Sequence, residues 1–269
     1  MVAIGIWCRA LKTEPSELTA VFLDVGQGDC TFIRTPSGHT VLIDGGGRPE
    51  DSEGDRIGMS VVEPFLRRQG VNRIDLVILT HPHDDHVQGL VPVLRDFRIG
   101  MVLDPGIRHG SKAYQRFLTI IRDRRLPYHQ AVRGQKIDFG DGVQAQVLNP
   151  PPGASDASED DMNDTSAVIR FAYGRHAILI TGDAGIGTES DIISSGADVR
   201  SDVLKVGHHG SKYSTGDEWL SAVNPRIAVI SVGRGNSFGH PSSETLQRLA
   251  SHRAKVYRTD ECGAVTVTE

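Results

Sequence analysis

The sequence predicts an α/β fold, because strand-like and helix-like segments follow one another in one continuous pattern. Short runs rich in Val, Ile, Phe and Thr alternate with segments whose apolar residues recur at helical spacing. Glycine and proline turns separate these segments, and no linker-like stretch divides the chain. Polar residues gather where several apolar strands end, which is where open sheets build binding sites.

The composition is that of an ordinary globular protein. The chain has 269 residues, of which 38% are hydrophobic and 23% charged, so one layered α/β domain of this size is plausible. No apolar run approaches the roughly 20 residues of a membrane span, and we expect the chain as given to be soluble. The three cysteines are widely spaced, which fits neither a disulfide framework nor a cysteine-rich metal site.

The predicted elements can be placed in chain order. Residues 1–17 are expected to be a loosely held lead-in, and residues 18–269 a single domain. Strands are predicted at residues 18–24, 30–34, 40–43, 74–79, 101–103, 137–139, 143–148, 167–173, 177–181, 203–206, 227–232, 255–258 and 264–267. Helices are predicted at residues 57–69, 87–97, 114–121, 188–194, 215–223 and 242–251. The first three strands should form an antiparallel meander, and Gly70 should end the first helix.

A cluster of metal-ligand residues follows the predicted strand 74–79. It reads Thr80-His81-Pro82-His83-Asp84-Asp85-His86. Imidazole and carboxylate groups suit zinc, manganese and iron. Alternation along an extended segment would put His81 and His83 on one side, where both can bind one ion. Asp85 and His86 follow where the chain turns toward a helix, so they can face a second ion.

Four other strand ends carry polar residues. Asp44 precedes three glycines that would let the backbone pass close to another group, and it either caps this turn or orients a ligand histidine. Asp183 ends an apolar strand, where it serves as a loop cap or as a ligand bridging two ions. The next strand ends at adjacent histidines, and a glycine-rich loop follows the strand after it. These segments contribute the candidates His208, His209, Ser211, Lys212, Arg234, Asn236 and His240.

Charge is distributed unevenly in a chain of net charge −5. Residues 108–136 contain eight Lys or Arg and one Asp, whereas residues 153–164 contain five acids and no base. The basic segment is either a phosphate-binding face or an ordinary solvated helix surface. The acidic segment is either a wall beside the metal site or a surface excursion.

Taken in order, these motifs resemble the metallo-β-lactamase fold superfamily. The resemblance rests on Leu42-Ile43-Asp44-Gly45, residues 80–86, Thr181-Gly182-Asp183 and a late histidine. Residues 22–29, 204–211 and 238–241 further resemble the C-terminal domain of ComEC/Rec2 DNA-uptake (competence) proteins. The resemblance covers residues 18–267. It implies an α/β fold of the metallo-β-lactamase type, a four-layer αββα sandwich with a two-metal site between the sheets.

The resemblance also implies a ligand set for two divalent ions, Mn²⁺ or Zn²⁺. His81 and His83 match the ligands of one ion, and Asp85 and His86 match those of the other. Asp183 matches the bridging carboxylate and His208 the late histidine ligand, although His209 could take that role instead. Many relatives have one more histidine before the bridging aspartate. Here only Asn163 and Asp164 stand near that position, which favours manganese at least as much as zinc.

The expected chemistry is phosphodiester hydrolysis of DNA, on the strand that is not taken up. Two ions about 3.5–4 Å apart can hold a hydroxide and aim it at phosphorus. Asp85 could orient this nucleophile, and His209, His240 or Lys212 could supply a proton or a positive charge to the leaving oxygen. Ser211, Lys212, Arg234 and Asn236 are the candidate substrate-binding residues.

Two alternatives remain at this point: a hydrolase of small lactones, thioesters or phosphoesters, and a non-catalytic module that guides DNA. The family resemblance further implies two partners, a DNA strand expected to be single-stranded and a membrane-embedded channel portion of the same full-length protein. It places this domain at the extracytoplasmic face of the cell membrane. In that case residues 1–17 would be a membrane-proximal remnant.

Overall fold

The computed structural model describes residues 17–48, 55–154 and 162–268, and within them the strands form two seven-stranded sheets. Apart from Glu17, the predicted lead-in lies outside the described residues, as do most of the acidic residues of 153–164. The first sheet contains β1 (Thr19–Phe22), β2 (Thr31–Arg34), β3 (Thr40–Ile43), β4 (Arg73–Ile78), β5 (Arg98–Asp104), β6 (Tyr128–Gln130) and β14 (Val265–Thr268). The second contains β7 (Lys136–Asp138), β8 (Val143–Asn149), β9 (Val168–Tyr173), β10 (His176–Ile180), β11 (Val203–Lys205), β12 (Ile227–Ile230) and β13 (Lys255–Arg258).

Each sheet is half antiparallel and half parallel. In the first sheet β14, β1, β2 and β3 pair antiparallel, and β3 to β6 pair parallel. In the second sheet β7 to β10 pair antiparallel, and β10 to β13 pair parallel. The predicted meander and both predicted hairpins are therefore confirmed. Strand β6 was not predicted, because its three residues are all exposed and show no apolar alternation.

Eight α-helices lie within the described residues. They are α1 (Glu63–Arg68), α2 (Asp84–Val87), α3 (Leu90–Asp96), α4 (Lys112–Asp123), α5 (Ile186–Ser194), α6 (Asp217–Val223), α7 (Ser243–Ser251) and α8 (Thr259–Cys262). The helix expected at residues 87–97 begins earlier and in two pieces, so Asp85 and His86 lie inside α2. Gly70, with φ +68°, follows α1 as predicted. None of the helices in these described ranges is long and apolar enough to cross a membrane.

Three apolar clusters show how the layers are arranged. The central cluster joins the two sheets, with Phe22 and Ile78 from the first and Phe171 from the second. An outer cluster packs helices such as α3 and α4 against the first sheet. A third cluster packs α5, α6 and α7 against the second sheet and includes Trp219, which is 1% exposed. The layer order is therefore helix, sheet, sheet, helix, which confirms the predicted four-layer αββα sandwich.

Glycines allow two loops to contact the backbone of α2. A Cβ atom on Gly47 would lie 2.0 Å from the Asp84 carbonyl oxygen, and one on Gly28, where φ is +119°, would lie 2.2 Å from that of Asp85. The N–H of Gly45 donates to the His86 carbonyl oxygen at 2.7 Å. The glycines after β3 thus approach another backbone, as their sequence predicted. Their packing fixes the helix that carries Asp85 and His86.

We expect Gly47→Ala to destabilise the protein, because the new methyl group must displace the carbonyl oxygen of Asp84. Overpacking of this kind costs about 1–3 kcal/mol, which corresponds to a fall of roughly 2–4 °C in Tm per kcal/mol for a chain of this size. Thermal unfolding by circular dichroism measures the change. Gly187→Ala is the matched control, because nothing lies within 4 Å of its Cβ position and alanine favours a helix. Equal Tm values for the two variants would contradict this packing argument.

Candidate metal centre

The candidate ligands lie at the carboxyl ends of strands from both sheets. His81 and His83 follow β4, and Asp183 follows β10. His208 and His209 lie in a short turn of Gly207–Gly210 after β11, which pairs parallel with β10. The ends of these strands face one another across the sandwich, so residues distant in sequence meet at one place.

Asp183 contacts both His81 and His86, the two ends of the ligand segment. The rings of His81 and His83 converge, with Nε2 of the first 3.0 Å from Nδ1 of the second. Asp183 Oδ2 is 3.8 Å from His81 Nε2, and its Oδ1 is 3.4 Å from His86 Nε2. A carboxylate with one oxygen toward each group has the arrangement needed to bridge two ions.

The adjacent histidines after β11 occupy different environments. His209 is 2% exposed, and its Nε2 lies 3.3 Å from Asp85 Oδ2 and 3.5 Å from Asp183 Oδ2. The side chain of His208 is 31% exposed, with Nε2 3.7 Å from Asp183 Oδ2. Both residues have left-handed φ angles, +47° and +53°, and their rings are inclined by 74°. Ligand atoms of Asp85, His86 and His209 lie within 4.8 Å of one another, so the geometry groups His209 with that pair.

Three buried polar atoms at the centre make ion-pair contacts of 3.3 to 3.5 Å but no well-directed hydrogen bond: Nε2 of His86, Nε2 of His209 and Oδ1 of Asp183. Buried polar atoms with incomplete hydrogen bonding are costly, so three such atoms in one place indicate a ligand. Imidazole nitrogen and carboxylate oxygen are donors that divalent zinc, manganese and iron accept. The residues present therefore fit a divalent metal site.

Asp44 holds His86 in the orientation that such a site requires. Its Oδ2 lies 2.9 Å from His86 Nδ1. Thr80 donates its backbone N–H and its hydroxyl to the same carboxylate, at 2.8 and 2.7 Å. With Nδ1 engaged in this way, Nε2 of His86 is directed toward Asp183. A carboxylate behind a ligand histidine fixes its tautomer and raises its basicity.

Two buried charged residues behind His209, Asp29 and Lys205, were not among the predicted site residues. Lys205 Nζ forms an ion pair with Asp29 Oδ2 and donates to the Gly182 carbonyl oxygen at 3.3 Å. Asp29 Oδ1 lies 3.4 Å from Nδ1 of His209, which also contacts the Ser231 carbonyl oxygen at 2.9 Å. The sequence does contain a signal for this pair, a lysine in the otherwise apolar strand Val203–Lys205. A lysine is almost never fully buried without a partner, so its position predicts a buried acid nearby.

The buried carboxylates determine the charge state of the centre. Burial alone would lower the pKa of His209, but the carboxylates of Asp183 and Asp29 raise it to about 10. The pKa of His86 is likewise raised well above its ordinary value by Asp183 and Asp44 against the effect of burial. Burial would raise the pKa of Asp183, yet His209 and His86 hold it well below the usual range. The centre is therefore a buried cluster of anions that attracts positive charge.

His240 is located at the outer side of the centre. Its ring centroid lies 5.6 Å from that of His208 and 6.4 Å from that of His209. Burial lowers the pKa of His240 to about 4, so its imidazole is neutral near pH 7. Asn236 holds its loop in place, since its side chain donates to the His240 carbonyl oxygen and accepts from the His240 N–H.

The remaining predicted substrate-binding residues differ in what they contact. Arg234 is exposed, and its guanidinium donates to the Asp260 carbonyl oxygen at 2.9 and 3.1 Å. Ser211 is buried, and its hydroxyl accepts from the Tyr213 N–H. Lys212 is exposed, with Nζ 5.0 Å from the Tyr213 ring centroid. Of these side chains, Lys212 is the cation that extends into solvent beside the centre.

The region around His83 contains one histidine that sequence analysis did not single out. The ring centroid of His109, in the loop before α4, lies 5.9 Å from that of His83. On the opposite strand ends, the Asp164 carboxylate accepts from the Thr188 hydroxyl at 2.9 Å. Asn163 Oδ1 is buried without a hydrogen-bond partner. Asn163 therefore keeps a buried acceptor oxygen available, and His109 adds an imidazole next to His83.

The basic segment 108–136 is less available than its composition suggests. Half of its eight cations are engaged within the chain. Arg116 pairs with Asp55, Arg122 with Asp123, Arg124 donates to the Phe97 carbonyl oxygen and Arg133 to the Leu148 carbonyl oxygen. Three of these arginines are anchored to distant parts of the chain, and Arg122 pairs on the surface with its neighbour. The segment is therefore weaker support for a phosphate-binding face than it was from sequence.

The fold and this centre define a metallo-hydrolase-like protein, and the chain belongs to the metallo-beta-lactamase superfamily. The sequence model of the Metallo-beta-lactamase superfamily matches residues 23–234. This match confirms the resemblance expected from sequence. This family implies binding of divalent metal.

Curated relatives include competence proteins. The chain is 32% identical to ComE operon protein 3 of Bacillus subtilis over 98% of its own length and 35% of that protein. It is 31% identical to the competence protein ComA of Neisseria gonorrhoeae, covering 93% of this chain and 32% of that protein. It is also 31% identical to Recombination protein 2 of Haemophilus influenzae, over 91% of this chain and 28% of that protein. The chain thus spans about a third of the length of these relatives.

Solved structures share the fold at low sequence identity. The diiron beta-hydroxylase CmlA of Streptomyces venezuelae matches with a TM-score of 0.60 at 15% identity, covering 95% of this chain and 55% of that protein. The metallo-beta-lactamase fold protein YhfI of Bacillus subtilis also gives a TM-score of 0.60, at 12% identity, with 94% and 100% covered. These likenesses establish the architecture.

We expect Asp44→Asn to weaken metal binding, because the amide no longer carries the charge that orients His86 and raises its basicity. Changes at such positions reduce metal affinity about 10–100-fold. Calorimetric titration of metal-stripped protein with Mn²⁺ or Zn²⁺ measures the change. Asp24→Asn is the matched control, since Asp24 is exposed and accepts from Gly26 in a local turn. An unchanged affinity in Asp44→Asn would contradict this role.

Proposed function

We propose that this chain is a metal-dependent phosphodiesterase that hydrolyses DNA. The observation that carries the proposal is the convergence of buried nitrogens of His86 and His209 on the Asp183 carboxylate, at 3.4 and 3.5 Å and without a well-directed hydrogen bond. The family supports metal-dependent hydrolysis, and the competence and recombination proteins among its relatives support DNA as the substrate.

We infer that His81, His83 and Asp183 would hold one ion, and that Asp85, His86, Asp183 and His209 would hold a second. Ligand atoms of His81, His86 and Asp183 lie within 4.8 Å of one another, as do those of Asp85, His86 and His209, and His83 Nδ1 lies 3.0 Å from His81 Nε2. His208 is then left as a neighbour of Asp183 that can meet the substrate or complete the first set. Because the first set contains only two imidazoles, oxygen donors complete it, and Mn²⁺ fits at least as well as Zn²⁺.

In hydrolysis, a new bond forms between water oxygen and phosphorus, and the phosphorus bond to the leaving ester oxygen breaks. Bound divalent ions would lower the pKa of the water and stabilise the charge that develops on the phosphate. Asp85 can accept a hydrogen bond from the attacking water. Lys212 offers the leaving oxygen a positive charge, and neutral His240 can donate a hydrogen bond to it. At its low pKa, His240 is a poor proton donor near pH 7, so solvent or Lys212 supplies the final proton.

The cellular setting is part of the same proposal. We infer that the chain acts on the DNA strand that is not taken up, at the extracytoplasmic face of the membrane. Its membrane-embedded partner would be the remaining portion of the same full-length protein. The support is that the chain aligns with about a third of each competence relative.

We expect metal-stripped protein to be inactive and to recover cleavage of end-labelled DNA when Mn²⁺ or Zn²⁺ is returned. A His81→Ala, Asp85→Ala double variant should lose at least about a hundredfold in rate, since even groups behind the ligands contribute 10–100-fold. Gel analysis of single- and double-stranded substrates measures the rate and the polarity.

His252→Ala is the matched control, because this histidine lies on α7's outer end and pairs with exposed Asp217. It should cut as fast as the unaltered protein. Cleavage by the double variant at the unaltered rate would exclude the proposed centre. Lack of DNA cleavage with Mn²⁺, Zn²⁺ or Mg²⁺, together with hydrolysis of a lactone or thioester, would identify a small-molecule hydrolase instead.

A further inference from the structure

Two large aromatic side chains are exposed on the loops that flank the metal centre. Tyr213 is 68% exposed and Phe238 is 61% exposed, the two highest values among the large apolar side chains of the described residues. Tyr213 follows the His208 and His209 turn, and Phe238 precedes His240 by two residues. Neither ring contributes to the core, so folding alone does not explain why they are aromatic.

The loops that bear the two rings are neighbours. The Ser242 N–H, just after the loop with Phe238, donates to the Gly210 carbonyl oxygen at 2.9 Å. The Thr245 hydroxyl, in α7, donates to the Ser211 carbonyl oxygen at 2.8 Å. We call the edge formed by these two loops, at the turn that bears His208 and His209, the rim.

Each ring is presented by a fixed backbone. The Tyr213 carbonyl oxygen accepts from the Ile186 N–H at 2.9 Å, and its N–H donates to Ser211. The Phe238 N–H donates to Asn236 Oδ1 at 3.1 Å. The backbone that bears each ring therefore needs no ordering when the ring meets a flat ligand, which favours binding.

The rim also extends a stack of rings away from the centre. The Phe238 ring lies 5.9 Å from the His240 ring at an interplanar angle of 26°. His240 in turn lies near His208 and His209. A flat group placed on Phe238 would continue this stack outward. On the other loop, Lys212 presents its ammonium group 5.0 Å from the Tyr213 ring, so an aromatic face and a positive charge are offered together.

We infer that Tyr213 and Phe238 form a nucleobase-stacking rim that selects an unpaired DNA strand for the metal centre. The inference rests on the proposed function, because it assigns the substrate class of that site. Bases of a single strand can leave their own stack and lie on aromatic side chains, and phosphates between them suit Lys212. Bases within a duplex must first be unpaired and unstacked, at a cost of a few kcal/mol.

The test measures binding without cleavage. Fluorescence anisotropy of metal-stripped protein in low salt compares an oligothymidylate of about twelve nucleotides, an abasic phosphodiester oligomer of the same length and a duplex. Tyr213→Ala and Phe238→Ala should each weaken oligothymidylate binding about tenfold, and binding of the abasic oligomer should not change. Tyr213→Phe and Phe238→Tyr, which keep the rings, should restore the affinity. Met59→Ala, an exposed apolar residue before α1, is the matched control.

Three results would overturn the inference: equal oligothymidylate affinity in the alanine variants, an equal loss with the abasic oligomer, or no binding by the unaltered protein. Hydrolysis of bis(4-nitrophenyl) phosphate with Mn²⁺ or Zn²⁺ tests the metal centre separately. Ring-dependent binding without any hydrolysis would reject the proposed nuclease while supporting the stacking rim.

Discussion

The buried carboxylate of Asp183 is the group on which the rest of the centre depends. It is 3% exposed, and nitrogens of His81, His86, His208 and His209 lie 3.4 to 3.8 Å from its oxygens. A carboxylate buried so deeply is costly unless positive charge stands beside it. The compensating imidazoles come from strands of both sheets, so they assemble only when the sandwich closes. Metal binding and closure of the two sheets are therefore energetically linked.

The backbone accepts unfavourable conformations to achieve this convergence. Asp44, His208 and His209 all have positive φ without being glycine, which costs roughly 1–3 kcal/mol at each position. Gly28 and Gly47 leave the room through which loops contact α2. Positive φ angles and close backbone contacts both occur at the edge of the centre, because three loops must place their side chains in one small volume. The large apolar core of the sandwich provides the stability that offsets this strain.

The parts of the fold that depend on local sequence were predictable. The apolar periodicity of each strand and helix is local, and so is the ligand spacing from His81 to His86. Contacts set by tertiary structure were not. The sequence left His208 and His209 as alternatives, because the burial of one ring and the exposure of the other depend on the tertiary contacts of the turn. The Lys205, Asp29 and His209 network joins residues far apart in the chain, and the internal partners of Arg124 and Arg133 depend on the folded surface.

The centre divides into a buried inner half and an exposed outer half, which tolerate substitution differently. In the inner half, Asp29, Asp44 and Lys205 are buried. Lys205 pairs with Asp29, and Asp44 contacts His86. A change at any of the three leaves a buried charge without its partner. In the outer half, Lys212, Tyr213 and Phe238 are exposed and can be exchanged at little cost in stability. Substrate preference can therefore vary through the outer loops while the inner half stays constant. The turn bearing His208 and His209 connects the two halves, and His208 Nε2 lies 3.7 Å from Asp183 Oδ2, so a substrate bound at the proposed rim would lie close to Asp183.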